Sequence, residues 1–91
     1  MTAEAGGDGG GRAVLGELRL ILARITGDDE LLGLAAEMPL FGDGVGLDSL
    51  TGTLLLREVQ RQFGVDVAAE DLNLDSLATL GTLAAFIAAP R

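Results

Sequence analysis

Residues 46–63 read GLDSLTGTLLLREVQRQF, and this stretch decides the fold. At about 100° per residue, Leu55, Leu56, Val59 and Phe63 fall in one arc, so the spacing predicts a helix over 49–63 with a core-facing stripe. Leu50, Leu54, Arg57 and Arg61 fall on the opposite side, within about 60° of one another. Gly64 stands where helices stop. Ahead of the helix, Asp48 is placed to cap the free amides of its first turn. Ser49 follows at the positive end of the helix dipole, where an attached phosphate is favoured.

Working outward, segment 12–25 (RAVLGELRLILARI) carries Val14, Leu18, Ile21, Leu22 and Ile25 at helical spacing, with Gly27 as the stop. Residues 1–11 (MTAEAGGDGGG) are rich in glycine and have no apolar period, which predicts a flexible tail and a domain over 12–89. Between Thr26 and Asp48 the chain holds Asp28, Asp29, Glu30, Glu37, Asp43 and Asp48 and no cation. Pro39 and glycines 42, 44 and 46 deny this region a long helix. Its apolar residues, Leu31, Leu32, Leu34, Met38, Leu40 and Phe41, predict a loop packed across the bundle, with a helical turn near 31–36. Long loops in small domains often have a function. The acids serve either as a solvated face or as a contact for partners.

Beyond Gly64, the acidic turn around Glu70, Asp71 and Leu72 predicts a minor third helix. Thr79 caps a last helix through Ala88, with Leu80, Leu83, Phe86 and Ile87 facing inward and Pro90 ending it. No run alternates as a strand. The expected fold is all-α: a small four-helix bundle, three main helices plus a short third one, with a long loop between helices one and two.

Composition narrows the chemistry. The chain has 91 residues, no cysteine and no histidine. A disulfide scaffold, a cysteine nucleophile, an imidazole base and the usual zinc ligands are all excluded. Its six basic residues are all arginine, so Schiff-base chemistry is excluded too. A net charge of -8 opposes nucleic acid and anionic membrane and favours basic partner surfaces. No stretch approaches the ~20 apolar residues of a membrane span. These features predict a cytoplasmic monomer that is not itself an enzyme. Gly42-Asp43-Gly44-Val45-Gly46 lacks the lysine and the preceding strand of a phosphate loop. The acids at 43 and 48 do not fit a calcium-loop series.

Ser49 has no neighbouring base, so it suits modification by another enzyme better than catalysis. The alternative is that Asp48-Ser49 only caps a helix. Leu-Asp-Ser-Leu recurs at 74–77, but Ser76 lacks a glycine-rich approach and leaves one short helix after it, so Asp75-Ser76 reads as a link and Leu77 as core.

Asp48-Ser49-Leu50 at the start of a central helix after a long loop resembles the attachment site of acyl and peptidyl carrier proteins. Leu40-Phe41 ahead of it and Phe63-Gly64-Val65-x-Val67 behind it share the resemblance, which spans helix one to Ile87. The resemblance implies that a phosphopantetheinyl transferase moves 4'-phosphopantetheine from coenzyme A onto Ser49, supplying the thiol that the chain lacks. Gly-Leu-Asp-Ser is closer to acyl carriers than to the Gly-Gly-His-Ser or Gly-Gly-Asp-Ser of peptidyl carriers. Helix two departs from the acidic helix of fatty-acid carriers through Arg57 and Arg61. Residues 47–60 are most similar to D-alanyl carrier proteins, which share the glycine-threonine step and the leucine triplet, although Thr51 interrupts their usual pattern.

The implied protein is a discrete carrier in bacterial polyketide- or peptide-type biosynthesis, holding an acyl or aminoacyl thioester. Its partners are a loading ligase and an acyltransferase or ketosynthase acceptor. Fatty-acid synthesis and D-alanine transfer are the alternatives within the class, and a cofactor-free helical interaction module is the alternative outside it. Leu50, Leu54, Arg57 and Arg61 are the expected partner-binding strip, two apolar anchors beside two cations. The competing expectation is that the long loop buries Leu54.

Overall fold

The computed structural model describes residues 6–89. Four α-helices form the fold: α1 (Gly6–Thr26), α2 (Ser49–Phe63), α3 (Val67–Glu70) and α4 (Leu80–Ala88). Short 3-10 turns lie at Asp29–Gly33 and Asp75–Leu77. No strand occurs among the described residues, only an isolated antiparallel bridge between Pro39 and Thr79. The all-α bundle expected from the sequence is the fold observed.

The predicted stripes meet in one core. Leu18, Ile21 and Leu22 of α1, Leu55 and Val59 of α2, and Leu80 and Leu83 of α4 are all essentially buried. Each such side chain contributes about 1.5–3 kcal/mol relative to exposure. Leu56, Phe63 and Phe86 pack at the margin of this core rather than inside it. Ala84 and Val67 are buried as well.

The ends of α2 match the reading of the sequence because local chemistry sets them. Asp48 caps its start, and Gly64 ends it with φ 72°, donating its amide to Gln60 O at 2.9 Å. A left-handed residue there satisfies a carbonyl that the helix leaves open, and glycine adopts it without a Cβ clash. Thr79 likewise caps α4 through a reciprocal pair with Thr82, at 3.1 Å and 2.9 Å.

Four expectations need correction. Helix α1 begins at Gly6, so the helix takes in Gly6–Gly11, residues expected in a flexible tail; residues 1–5 of that tail lie outside the described residues. Propagating a packed helix adds one hydrogen bond per residue, which poor formers accept more readily than they nucleate. The helical turn of the long loop lies at Asp29–Gly33 rather than 31–36, because Asp28 accepts from Glu30 N at 3.0 Å and starts it early. The third helix lies at Val67–Glu70 rather than around 70–72, because Asp66 caps it through Ala69 N at 3.2 Å while Val67 enters the core. In the loop, Leu34 and Leu40 are buried as anchors, whereas Leu32, Met38 and Phe41 stay exposed.

The loop is fastened to the start of α4 by its backbone. Leu80 N donates to Met38 O at 3.2 Å, Gly81 N to Ala36 O at 2.7 Å, and Leu40 N to Ala78 O at 3.2 Å. Within the loop, Val45 N reaches Pro39 O at 2.8 Å and Leu47 N reaches Leu40 O at 3.0 Å. Leu40 and Leu47 are buried on either side of this closure. The loop therefore delivers Asp48 to the head of α2 along a fixed path.

Candidate functional site

Two leucine-aspartate-serine-leucine segments compete for the functional role, and the bundle treats them oppositely. Ser49 is the first residue of α2 and is exposed. Its hydroxyl makes no hydrogen bond to the protein among the described residues. Ser76 lies in the 3-10 turn at Asp75–Leu77 and is buried, with its Oγ sealed from solvent. Its amide is held by the Asp71 carboxylate at 2.8 Å, and Leu77 beside it is core.

The backbone donors around the two serines differ as well. At the head of α4, downstream of Ser76, the Leu80 and Gly81 amides are spent on loop carbonyls and the Thr82 amide on Thr79. At the head of α2, Asp48 Oδ1 accepts from Thr51 N at 2.7 Å, and Gly52 N reaches Asp48 O at 2.8 Å. The Ser49 and Leu50 amides find no acceptor among the described residues. Those two donors sit at the positive end of a 15-residue helix, an arrangement suited to an anionic phosphodiester on Ser49. The residues present therefore fit a phosphate-linked group.

Asp48 has one evident task here. The Thr51 amide holds its carboxyl below the usual carboxylate range. Its charge is thus engaged by the first turn of α2 beside the serine. Thr51 is a site residue that the sequence reading passed over; its position three residues after a capping aspartate was the available clue.

The expected partner strip is displayed unevenly. Leu50 is 70% exposed, and Arg57 is exposed with no ion pair among the described residues. Arg61 is exposed but shares Glu58 with Arg24, at 3.1 Å and 3.3 Å. Leu54 is half-buried, midway between the two expectations for it. Phe41 and Gly52, which the sequence reading did not connect, meet close to Ser49: a Cβ on Gly52 would stand 3.2 Å from the Phe41 ring.

No group of three or more potential metal ligands occurs among the described residues. None of the described helices is long and apolar enough to cross a membrane. A cavity of about 170 Å³ opens beside Asp48, between the end of α1, the 3-10 turn that follows it and the start of α2.

The profile of the phosphopantetheine attachment site family matches residues 16–87, from the middle of α1 to the end of α4. The chain belongs to the phosphopantetheine-attachment family. It is a carrier whose cofactor is covalently attached 4'-phosphopantetheine. Neither a curated protein nor a solved structure matches it significantly. Membership accounts for the bare chemistry of the chain, since a phosphopantetheine carrier borrows its reactive thiol. It also sets aside the cofactor-free interaction module. Phosphopantetheinyl transferase and the enzymes that load and unload the arm are the partners of such carriers as a class.

Proposed function

We propose that Ser49 carries the phosphopantetheine arm and that the protein is a discrete acyl or aminoacyl carrier, itself without catalytic activity. The observation that supports Ser49 is the contrast between its open hydroxyl beside two unspent amides and the sealed Ser76. Ser49 presents the hydroxyl, the head of α2 steadies the phosphodiester, and Asp48 fixes that turn. No histidine or lysine exists to take the hydroxyl proton, and the neighbouring Asp48 is a weak base because the Thr51 amide holds its carboxyl low, so the modifying enzyme supplies the base. When bound, the arm supplies a terminal thiol for a thioester.

The pathway reading rests on the resemblance of residues 47–60 to D-alanyl carriers and on Arg57 and Arg61 in place of an acidic α2. It is carriage of an acyl or aminoacyl group between cytoplasmic enzymes of bacterial polyketide- or peptide-type biosynthesis, by a monomer. Its loading partner is a ligase, and its acceptor is an acyltransferase or ketosynthase. Leu50, Leu54, Arg57 and Arg61 form the docking strip, with Leu50 as the main apolar anchor.

The test is direct. The full chain, Ser49→Ala and Ser76→Ala are each incubated with coenzyme A and a broad-specificity phosphopantetheinyl transferase, and intact masses are compared. Wild type and Ser76→Ala gain one phosphopantetheine, and Ser49→Ala gains none. A modified Ser49→Ala protein overturns the assignment.

A further inference from the structure

The outward face of α1 carries an apolar residue that the core does not explain. Leu20 is turned about 200° from the fully buried Leu18 on the helix, and it is 49% exposed. Leu32, in the 3-10 turn that follows α1, is 46% exposed. Both line a groove of about 300 Å³, together with Glu17, Ala23, Arg24 and Asp29. The groove forms because the chain folds back over the end of α1: Gly27 N and Asp28 N both donate to Ala23 O, at 2.8 Å and 3.2 Å. Ala23 is buried there, and the two leucines are left half-covered.

The charges around this groove are one-sided. Asp28, Asp29 and Glu30 are consecutive and exposed, and none forms an ion pair among the described residues. Glu17 accepts from the Gln62 side-chain amide on α2. Arg24, the cation among the lining residues, is held by Glu58 at 3.3 Å. Glu58 also takes Arg61 at 3.1 Å, so this bridge divides the acidic groove on α1 from the arginine strip on α2. Acids alone would make a solvated face. Acids bordering two half-open leucines instead have the make-up of a docking site, an apolar centre with a polar rim.

Charge decides the occupant. Nucleic acid and anionic lipid are repelled, and so is a second copy of a chain whose net charge is -8. We propose that the groove between Leu20 and Leu32 is a second docking surface, and that its occupant is a cationic amphipathic segment of a partner protein. An alkyl side chain of that segment enters between the two leucines, and its lysines or arginines face Asp28, Asp29 and Glu30. The α2 strip suits acidic surfaces and the α1 groove suits basic ones, so the two select partner regions of opposite sign. The inference does not involve Ser49 and goes beyond the attachment reading.

The test uses a short synthetic peptide of leucine and lysine whose leucines recur at helical spacing, titrated into isotope-labelled full chain and followed by amide shifts. A peptide of the same composition without that spacing is the control. Expected are shifts centred on Leu20, Ala23 and Leu32, and a weaker response to the control. Leu20→Ser and Leu32→Ser each lower the affinity about fivefold. Asp29→Asn combined with Glu30→Gln lowers it at low salt, with the effect fading as salt rises. Leu72→Ser removes an 85% exposed leucine next to Asp71 in the chain and leaves the affinity unchanged. Shifts spread over the whole acidic surface, or an affinity that neither Leu20→Ser nor Leu32→Ser lowers, overturn the docking site. A wild-type dimer in sedimentation that Leu20→Ser abolishes gives the groove to a second copy and overturns the proposal as well. The wild-type shift map decides the matter even where a variant does not fold. Ser49→Ala binds the peptide as the wild type does, whatever its mass after treatment with the transferase, so the two readings fail separately.

Discussion

The Phe41 ring lies across Gly52, so that a Cβ added at Gly52 would sit 3.2 Å from two ring carbons. Gly52 is buried within the first turns of α2, while Phe41 belongs to the loop and remains partly exposed. The ring therefore ties the loop to α2 three residues beyond Ser49, and a side chain at 52 would lift it away.

That contact predicts a sign change in a double-mutant cycle. Gly52→Ala in the wild type improves helix propensity but displaces the ring, for a net loss of about 1 kcal/mol. In the Phe41→Ala background the same change is neutral or stabilising. Denaturant unfolding of the four proteins measures the coupling, expected to be at least ~0.5 kcal/mol. Additive effects would show that the ring and the glycine are independent.

Asp48 predicts an acid limb in stability. Its carboxyl titrates below its ordinary value of 3.8 in the folded protein, chiefly because the Thr51 amide bonds the charged form. A lowered folded pKa adds stability that is fully present above the unfolded value and is lost as pH falls through the folded one. Asp48→Asn retains a capping oxygen and removes the charge. The wild-type advantage over Asp48→Asn should therefore be full near neutrality and shrink below pH 3.8. A difference that stays constant with pH contradicts this account. Glu58 and Asp71, also held low, add slopes that both proteins share.

Two glycines should respond oppositely to alanine. Gly16 lies inside α1 with open space where a Cβ would point, so Gly16→Ala should stabilise by about 0.5–1 kcal/mol. A Cβ on Gly44 would overlap Pro39 O, a backbone atom that also accepts from Val45 N. Gly44→Ala should destabilise by about 1–3 kcal/mol. Thermal unfolding of each variant checks both signs.

Arg57 is the exposed cation of the strip that has no ion pair among the described residues. Arg57→Glu should slow loading or transfer on the order of tenfold at low salt, with the effect fading as salt rises. Helical circular dichroism should not change. Unaltered rates at low salt would remove Arg57 from the docking surface.

The sequence was most informative where a residue's partner lies within a turn or two of it. Asp48, Gly64 and Thr79 set helix ends through local hydrogen bonds and φ, so the limits of α2 and α4 were legible in advance. The apolar periods identified Leu18, Leu22, Leu55, Val59, Leu80 and Leu83 as core for the same reason, since helical geometry alone aligns them. The third helix was misplaced by a few residues because a four-residue helix has almost no period to read, and the cap at Asp66 outweighed the acidic turn after it. Helix α1 ran further toward the N-terminus than its glycines suggest, because helix ends depend on cooperative growth rather than residue by residue.

What the sequence by itself determined was the all-α class, the limits of α2 and α4, and a preference for Ser49 over Ser76 from the glycine-rich approach and the length of chain that follows. Only the tertiary structure separated that pair in exposure, since Ser49 and Ser76 stand in identical Leu-Asp-Ser-Leu segments. Burial and spent amides come from chain that is distant in sequence: loop carbonyls at 36 and 38 take the donors at the start of α4, while nothing comparable reaches the start of α2. A hydroxyl's access to solvent and to a free donor depends on what packs over it, and four identical residues do not encode that.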